Sequence, residues 1–169
     1  MSSDYCSVAE GGERGLDHCP GCGEKGKPVS LATVGAMART EVEAVKLSAQ
    51  NYQLCRNLIC PVVYFDRGIS IDKNELRAPV NFKENNYEGP VCYCFNHTVA
   101  SIREEIHSSG RSTAVDMITK EIKAGRCACE VKNPAGTCCL GDVVRVVKSL
   151  PVQLPTDPDQ ISSGGVPKS

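Results

Sequence analysis

Cys19 and Cys22 stand in the turn HCPGCGEKGK as a C-x-x-C pair followed by Gly23. Such a turn brings two thiolates to one ion while backbone N–H groups point at the sulfurs, and glycine accepts the positive φ the turn needs. CRNLIC supplies a second pair, Cys55 and Cys60. Four soft ligands suit tetrahedral Zn2+, and a rubredoxin-like single iron shares that geometry. A thioredoxin-like redox pair would open a helix after a strand, whereas GEKGKPV is unlike a helix start. A closed four-sulfur site leaves no place for a fifth ligand, so His18 reads as a surface or supporting residue.

A second set of cysteines follows a different pattern. VCYCFNHT places Cys92 and Cys94 in extended chain just before a helix cap, and GRCACEVKNPAGTCCLGD crowds Cys127, Cys129, Cys138 and Cys139 ahead of another helix. That arrangement suits an iron-sulfur centre. Four thiolates on a [2Fe-2S] core carry a net charge of about −2 when oxidised, so the site calls for N–H groups and positive helix ends. Helices starting near Val99 and Leu140 would supply them, and Gly136 would let the NPAGT backbone come close to sulfur. His97 and His107 read as exposed histidines.

These ligands need elements to hold them, and the hydrophobic period changes between the halves. QLC, PVVYFD, GISID and PVNFK are short β-branched or aromatic runs separated by turn formers, which predicts a small antiparallel sheet. TVGAMARTEVEAVKL fits either a short helix or irregular chain. In the second half Thr98 caps a helix with Val99, Ile102 and Ile106 on one face and Gly110 at its end. Thr113 as N-cap, with Asp116 three residues on, opens a second helix carrying Val115, Ile118 and Ile122 and stopping at Gly125. A third runs from about Leu140 to Leu150, its apolar stripe formed by Leu140, Val143, Val144, Val147 and Leu150. The fold class is α+β: a small zinc-binding antiparallel β subdomain over residues 16–88, then a helical [2Fe-2S]-binding subdomain over 89–150, divided at ENNYEGP. Residues 1–15 and 151–169 are polar and rich in Gly, Ser and Pro, and are expected to be disordered tails.

Composition narrows the function. With 19 basic and 20 acidic side chains and a net charge of −1, the chain has no basic groove, and nucleic acid is a poor partner. Tryptophan is absent and aromatics are 5% of the residues, so a modest core would lean on metal. The amino terminus has no leader pattern and no run is long and apolar enough to insert into a membrane. A cytoplasmic location follows, where thiols stay reduced and short-spaced cysteines point to metals. No Ser-His-Asp set, phosphate loop or paired catalytic carboxylates is present, so a redox carrier fits better than an enzyme.

VCYCFNHT, KAGRCACEVKNPAGTCCLGDVV, CPGCGEKGKPVSLATV and CPVVYF together resemble the N-terminal portion of CopZ-type copper chaperones over roughly residues 16–150. The later half resembles, more loosely, the bacterioferritin-associated ferredoxin domain. The resemblance implies a [2Fe-2S] cluster, a mononuclear zinc and a part in the redox handling of copper. The family's copper carrier is a separate C-terminal domain with an M-x-C-x-x-C loop, a motif this chain lacks. Cys139, directly against the third helix, is preferred to Cys138 as a ligand. Ferredoxin-like spacing from Cys94 favours Cys127, while the copper-chaperone pattern favours Cys129 with Cys139. The expected sets are therefore Cys92, Cys94, Cys129 and Cys139 for the cluster and Cys19, Cys22, Cys55 and Cys60 for zinc. The unused thiols are expected to pack as small hydrophobes. The expected function is one-electron transfer that reduces Cu(II) to Cu(I), with a redox partner protein and a separate copper carrier or transporter. The alternative is an iron-sulfur sensor or interaction module with structural zinc.

Overall fold

The computed structural model describes residues 17–42, 44–85 and 88–151; the expected tails, Pro151 apart, lie outside the described residues. The chain divides into two compact units. Of the described residues, the first holds those of 17–85 together with Glu130–Thr137, and the second holds 88–129 and 138–151.

An antiparallel sheet in the order β1-β2-β3-β4 forms the first unit: β1 Lys27–Pro28, β2 Gln53–Leu54, β3 Val62–Asp66 and β4 Ile69–Asp72. Between β1 and β2 lie α1 (Leu31–Met37) and a 3-10 turn, Ala44–Leu47, so the ambiguous stretch is partly helical. Ser30 caps α1 by accepting from Thr33 N at 3.1 Å. The register of β3 against β4 shifts between Val62 and Tyr64. That bulge sends Val63 and Tyr64 into the main core with Val34, Met37, Tyr52, Leu54 and Ile71, while Val62 and Phe65 pack with Cys19, Cys55 and Cys60. One strand thus serves the apolar core on one side and the sulfur cluster on the other. PVNFK is no strand: Asn81–Lys83 is a 3-10 turn, because Asn81 Oδ1 accepts from Phe82 N at 2.7 Å and bends the chain.

Glu130–Thr137 closes this unit. Tyr64 Oη donates to Pro134 O at 2.6 Å, and Thr33 Oγ1 donates to Glu130 O at 2.6 Å. Gly136 has φ +66°, and a Cβ there would sit 2.6 Å from Thr33 Oγ1. Gly136→Ala therefore combines left-handed strain with a clash at a buried hydroxyl, and we expect a loss of about 2–3 kcal/mol in urea unfolding.

In the second unit β5 (Pro90–Cys92) and β6 (His97–Thr98) form a hairpin leading into α2 (Val99–Ser109) and α3 (Ala114–Lys123); the single turn α4 (Cys129–Lys132) begins at Cys129 and carries the chain into the Glu130–Thr137 segment of the first unit, and α5 (Leu140–Ser149) completes the second. Thr98 and Ser101 form a reciprocal capping box and Gly110 closes α2 at φ +75°. Val91, Cys92, Ile102, Ile106, Ala114, Ile118, Cys139 and Val143 make its core. Thr113 is the N-cap residue of α3, as expected, but its side chain makes no cap hydrogen bond. Its Oγ1 donates to Glu105 Oε1 at 2.6 Å instead, because the carboxylate is the stronger acceptor. No helix among the described residues is long and apolar enough to cross a membrane.

Candidate metal centres

The Sγ atoms of Cys19, Cys22, Cys55 and Cys60 all lie within 4.8 Å of one another. Cys19 is 3.8 Å from Cys60, and Cys22 is 3.6 Å from Cys55. A tetrahedral zinc about 2.3 Å from each sulfur holds its ligands roughly 3.8 Å apart, so the donor set fits the ion in chemistry and spacing. Backbone geometry builds the site. Gly23 N donates to Cys19 O at 2.7 Å with Gly23 at φ +74°, and Cys55 N donates to Val63 O at 2.8 Å. The N–H groups of Glu24, Asn57 and Val62 point at the sulfurs of Cys22, Cys55 and Cys60, each two residues back. Burial pushes the Cys55 thiol up to about 12 and raises Cys60 as well. At Cys22 the upward push of burial is outweighed by the Glu24 N–H and the neighbouring thiols, and its pKa falls. His18 stays outside, its Nδ1 3.0 Å from Asp17 Oδ1.

Sequence reasoning missed two supports of this site. A side chain at Gly21 would come within 3.0 Å of Cys60 Sγ and Val62 Cγ2, so the knuckle closes only on a bare backbone. Lys83 is buried, and its Nζ donates to Asn57 O at 2.7 Å and Cys60 O at 3.1 Å. The C-P-G-C spelling could have flagged the first, whereas nothing near Lys83 marks it.

In the second unit the thiols gather in pairs. Cys94 Sγ is 3.5 Å from Cys129 Sγ, and Cys92 and Cys139 are in thiol–thiol hydrogen-bond contact. That contact lowers Cys92 and raises Cys139, so the two thiols titrate as one coupled pair. Burial raises Cys129 to about 12. Ala128 N donates to Cys94 Sγ at 3.3 Å, the Cys94 and Phe95 N–H groups face Cys92, and the Cys139 N–H faces Cys129. Cys139 is the N-cap of α5, whose first turn hangs on its carbonyl: Asp142 N and Val143 N both donate to it at 3.0 Å. Cys127 and Cys138 do not pack as expected, because both are exposed on the flanks of these loops. His97 is half-buried on β6 and His107 is exposed.

Residues 16–77 match a family model described as a zinc binding domain of the CopZ type. The copper chaperone CopZ of Archaeoglobus fulgidus is 36% identical over 121 residues, which is 72% of this chain and 57% of that protein, so the chain spans little more than half the relative's length. The X-ray structure of the Archaeoglobus fulgidus CopZ N-terminal domain superposes with a TM-score of 0.63 at 32% identity, covering 80% of this chain and 99% of the other. With a four-cysteine site in an antiparallel β unit followed by a helical unit, this chain belongs to the CopZ family, matching its N-terminal domain.

Proposed function

We propose that this chain is the electron-handling module of a copper-trafficking system. Zinc held by Cys19, Cys22, Cys55 and Cys60 braces the sheet unit, and Cys92, Cys94, Cys129 and Cys139 hold a [2Fe-2S] cluster, with working boundaries at 16–88 and 89–150. The observation that carries the second site is the division of its thiols into two touching pairs, Cys94 with Cys129 and Cys92 with Cys139. Two thiolates per iron is the ligand arrangement of that cluster. N–H groups directed at three of the four sulfurs are what an anionic centre requires. When bound, the cluster supplies one electron at a time. Cu(II) is the substrate: it gains one electron to become Cu(I), the form thiolate carriers prefer, and a redox partner protein restores the electron. Delivery falls to a separate copper carrier or transporter, and the redox carrier works in the cytoplasm, where these thiols stay reduced.

A second reading, an interaction module, has its own observation. Leu58 and Ile59 are 64% and 90% exposed at the tip of the Cys55–Cys60 loop, which Asn57 stiffens by accepting from Ile59 N at 3.0 Å and donating to Glu24 Oε1 at 2.8 Å. Anaerobic purification with metal analysis separates the two. The electron-transfer reading expects about one zinc, two irons and two sulfides per chain, an EPR signal on dithionite reduction, and rapid reoxidation by Cu(II) in stopped flow. A colourless, zinc-only protein, or a reduced centre inert to Cu(II), sinks it and leaves the interaction module standing.

A further inference from the structure

Lys83 is 6% exposed, an unusual place for an ammonium. Among the described residues no carboxylate lies within ion-pair distance of it. A buried charge without a partner is strongly unfavourable, so its surroundings must offset it. Two carbonyls do so in part, Asn57 O at 2.7 Å and Cys60 O at 3.1 Å, and both belong to the loop that carries half of the four-cysteine site. The Phe82 ring, its centroid 5.9 Å from Nζ, adds a weak cation–π contact, and the Cys60 carbonyl brings the ammonium beside the sulfur cluster. Four thiolates around a dication leave a net charge of about −2 in a poorly solvated pocket, and the Lys83 ammonium, bonded to the carbonyl of the ligand Cys60, stands next to it. The lysine arrives at the end of the Asn81–Lys83 turn, far along the chain from either cysteine pair.

We infer that Lys83 is a positioning residue of the four-cysteine centre: its buried ammonium clamps the Asn57–Cys60 loop in the ligating geometry and serves as the counter-charge of the metal-thiolate cluster. This rests on the proposed occupation of that site by zinc. The role requires both the two hydrogen bonds and the positive charge, which separates it from a side chain that merely fills space. Loss of such a supporting partner typically weakens metal retention about 10- to 100-fold.

The test uses the full chain with Lys83→Met, Lys83→Arg and Val80→Ala, the last a core truncation at a residue 1% exposed that packs in the main apolar core and not in the cluster of Cys19, Cys55 and Cys60. Each is purified with zinc and its thermal unfolding recorded at saturating zinc. Zinc release to a chromophoric chelator is then timed, and the sulfur-to-cobalt charge-transfer band is measured after exchange with Co(II). Lys83→Met is expected to release zinc about 10- to 100-fold faster than the parent, with the cobalt band moved to lower energy because the thiolates have lost a stabilising cation. Lys83→Arg should recover most of both effects, and Val80→Ala should lose thermal stability with its band unmoved. The inference fails if Lys83→Met keeps the parent band and releases zinc no faster than Val80→Ala. It fails equally if Lys83→Arg behaves as Lys83→Met. A parent chain that binds no zinc would instead overturn the reading of the site itself.

Discussion

Stripping the metal from Cys19, Cys22, Cys55 and Cys60 is expected to unfold the sheet unit, and Cys60→Ser is expected to prevent its folding even with zinc present. The side of the sheet facing the site has little else: among the described residues, its buried cluster beyond the cysteines contains only Val62 and Phe65. β1 and β2 contribute two residues each to the sheet, and strands that short hold register poorly unless something pins them. A structural zinc is worth roughly 10–16 kcal/mol in small domains, as large as the whole stability of an ordinary fold. Because the chain lacks tryptophan, the buried Tyr52 and Tyr64 report the loss in near-UV circular dichroism, while the helical far-UV signal of α2, α3 and α5 should persist. The pH dependence has opposite signs in the two forms. Zinc binding displaces thiol protons, so the loaded protein loses its metal as pH falls. In the metal-free form, burial raises Cys55 to about 12 and raises Cys60 too; a raised acid binds more protons folded than unfolded. Whatever fold survives is thus strongest below the ordinary thiol range and fades as pH climbs toward about 12. An apo protein that keeps its tyrosine signature and unfolds cooperatively at the parent's temperature would remove zinc from its structural role.

How far the sequence could be read depended on whether a contact is local. The knuckles are legible because the sulfurs of Cys22, Cys55 and Cys60 each meet an N–H two residues on, and C-x-x-C-G spells such a turn. The Thr98 cap and the Gly110 stop are equally local, and the structure repeats them; the α5 stripe recurs with Leu140, Val143, Val147 and Leu150, but Val146 rather than Val144 packs into the core. Phe82 and Val80 misled the reading of PVNFK because alternation alone does not reveal that the intervening Asn81 turns its amide oxygen onto the backbone. Thr113 holds the expected N-cap position, but its hydroxyl is drawn to Glu105, eight residues back on another helix, and not to the α3 backbone. Lys83 is invisible for the same reason, and Gly136, expected to bring the NPAGT backbone close to sulfur, packs against Thr33 instead, since the partners Cys60 and Thr33 lie far away in the chain. Nor does anything in EVKNPAGT announce that Tyr64 will hold it through Pro134.

Replacing Cys92, Cys94, Cys129 or Cys139 with Ala is expected to abolish the proposed cluster, lowering visible absorbance per chain at least about tenfold, while Cys127→Ala and Cys138→Ala leave it near the parent value. Alanine is chosen because a serine oxygen could still ligate. Spacing alone left two of these positions open, and the fold weights them physically. Cys129 lies 3.5 Å from Cys94 and receives the Cys139 N–H, whereas Cys127, two residues earlier, is exposed. Cys139 is 1% exposed, touches Cys92 and caps α5, whereas Cys138 faces solvent. A buried thiol beside another buried thiol at a helix start is poised to share a cation's charge, and an exposed one has water as its alternative. The double variant Cys127→Ala/Cys138→Ala carries the sharpest consequence. If it retains the spectrum but slows reoxidation by Cu(II), the exposed thiols lie on the path of the incoming ion; if it bleaches, the ligand set is drawn from the wrong cysteines and the pairing argument falls with it.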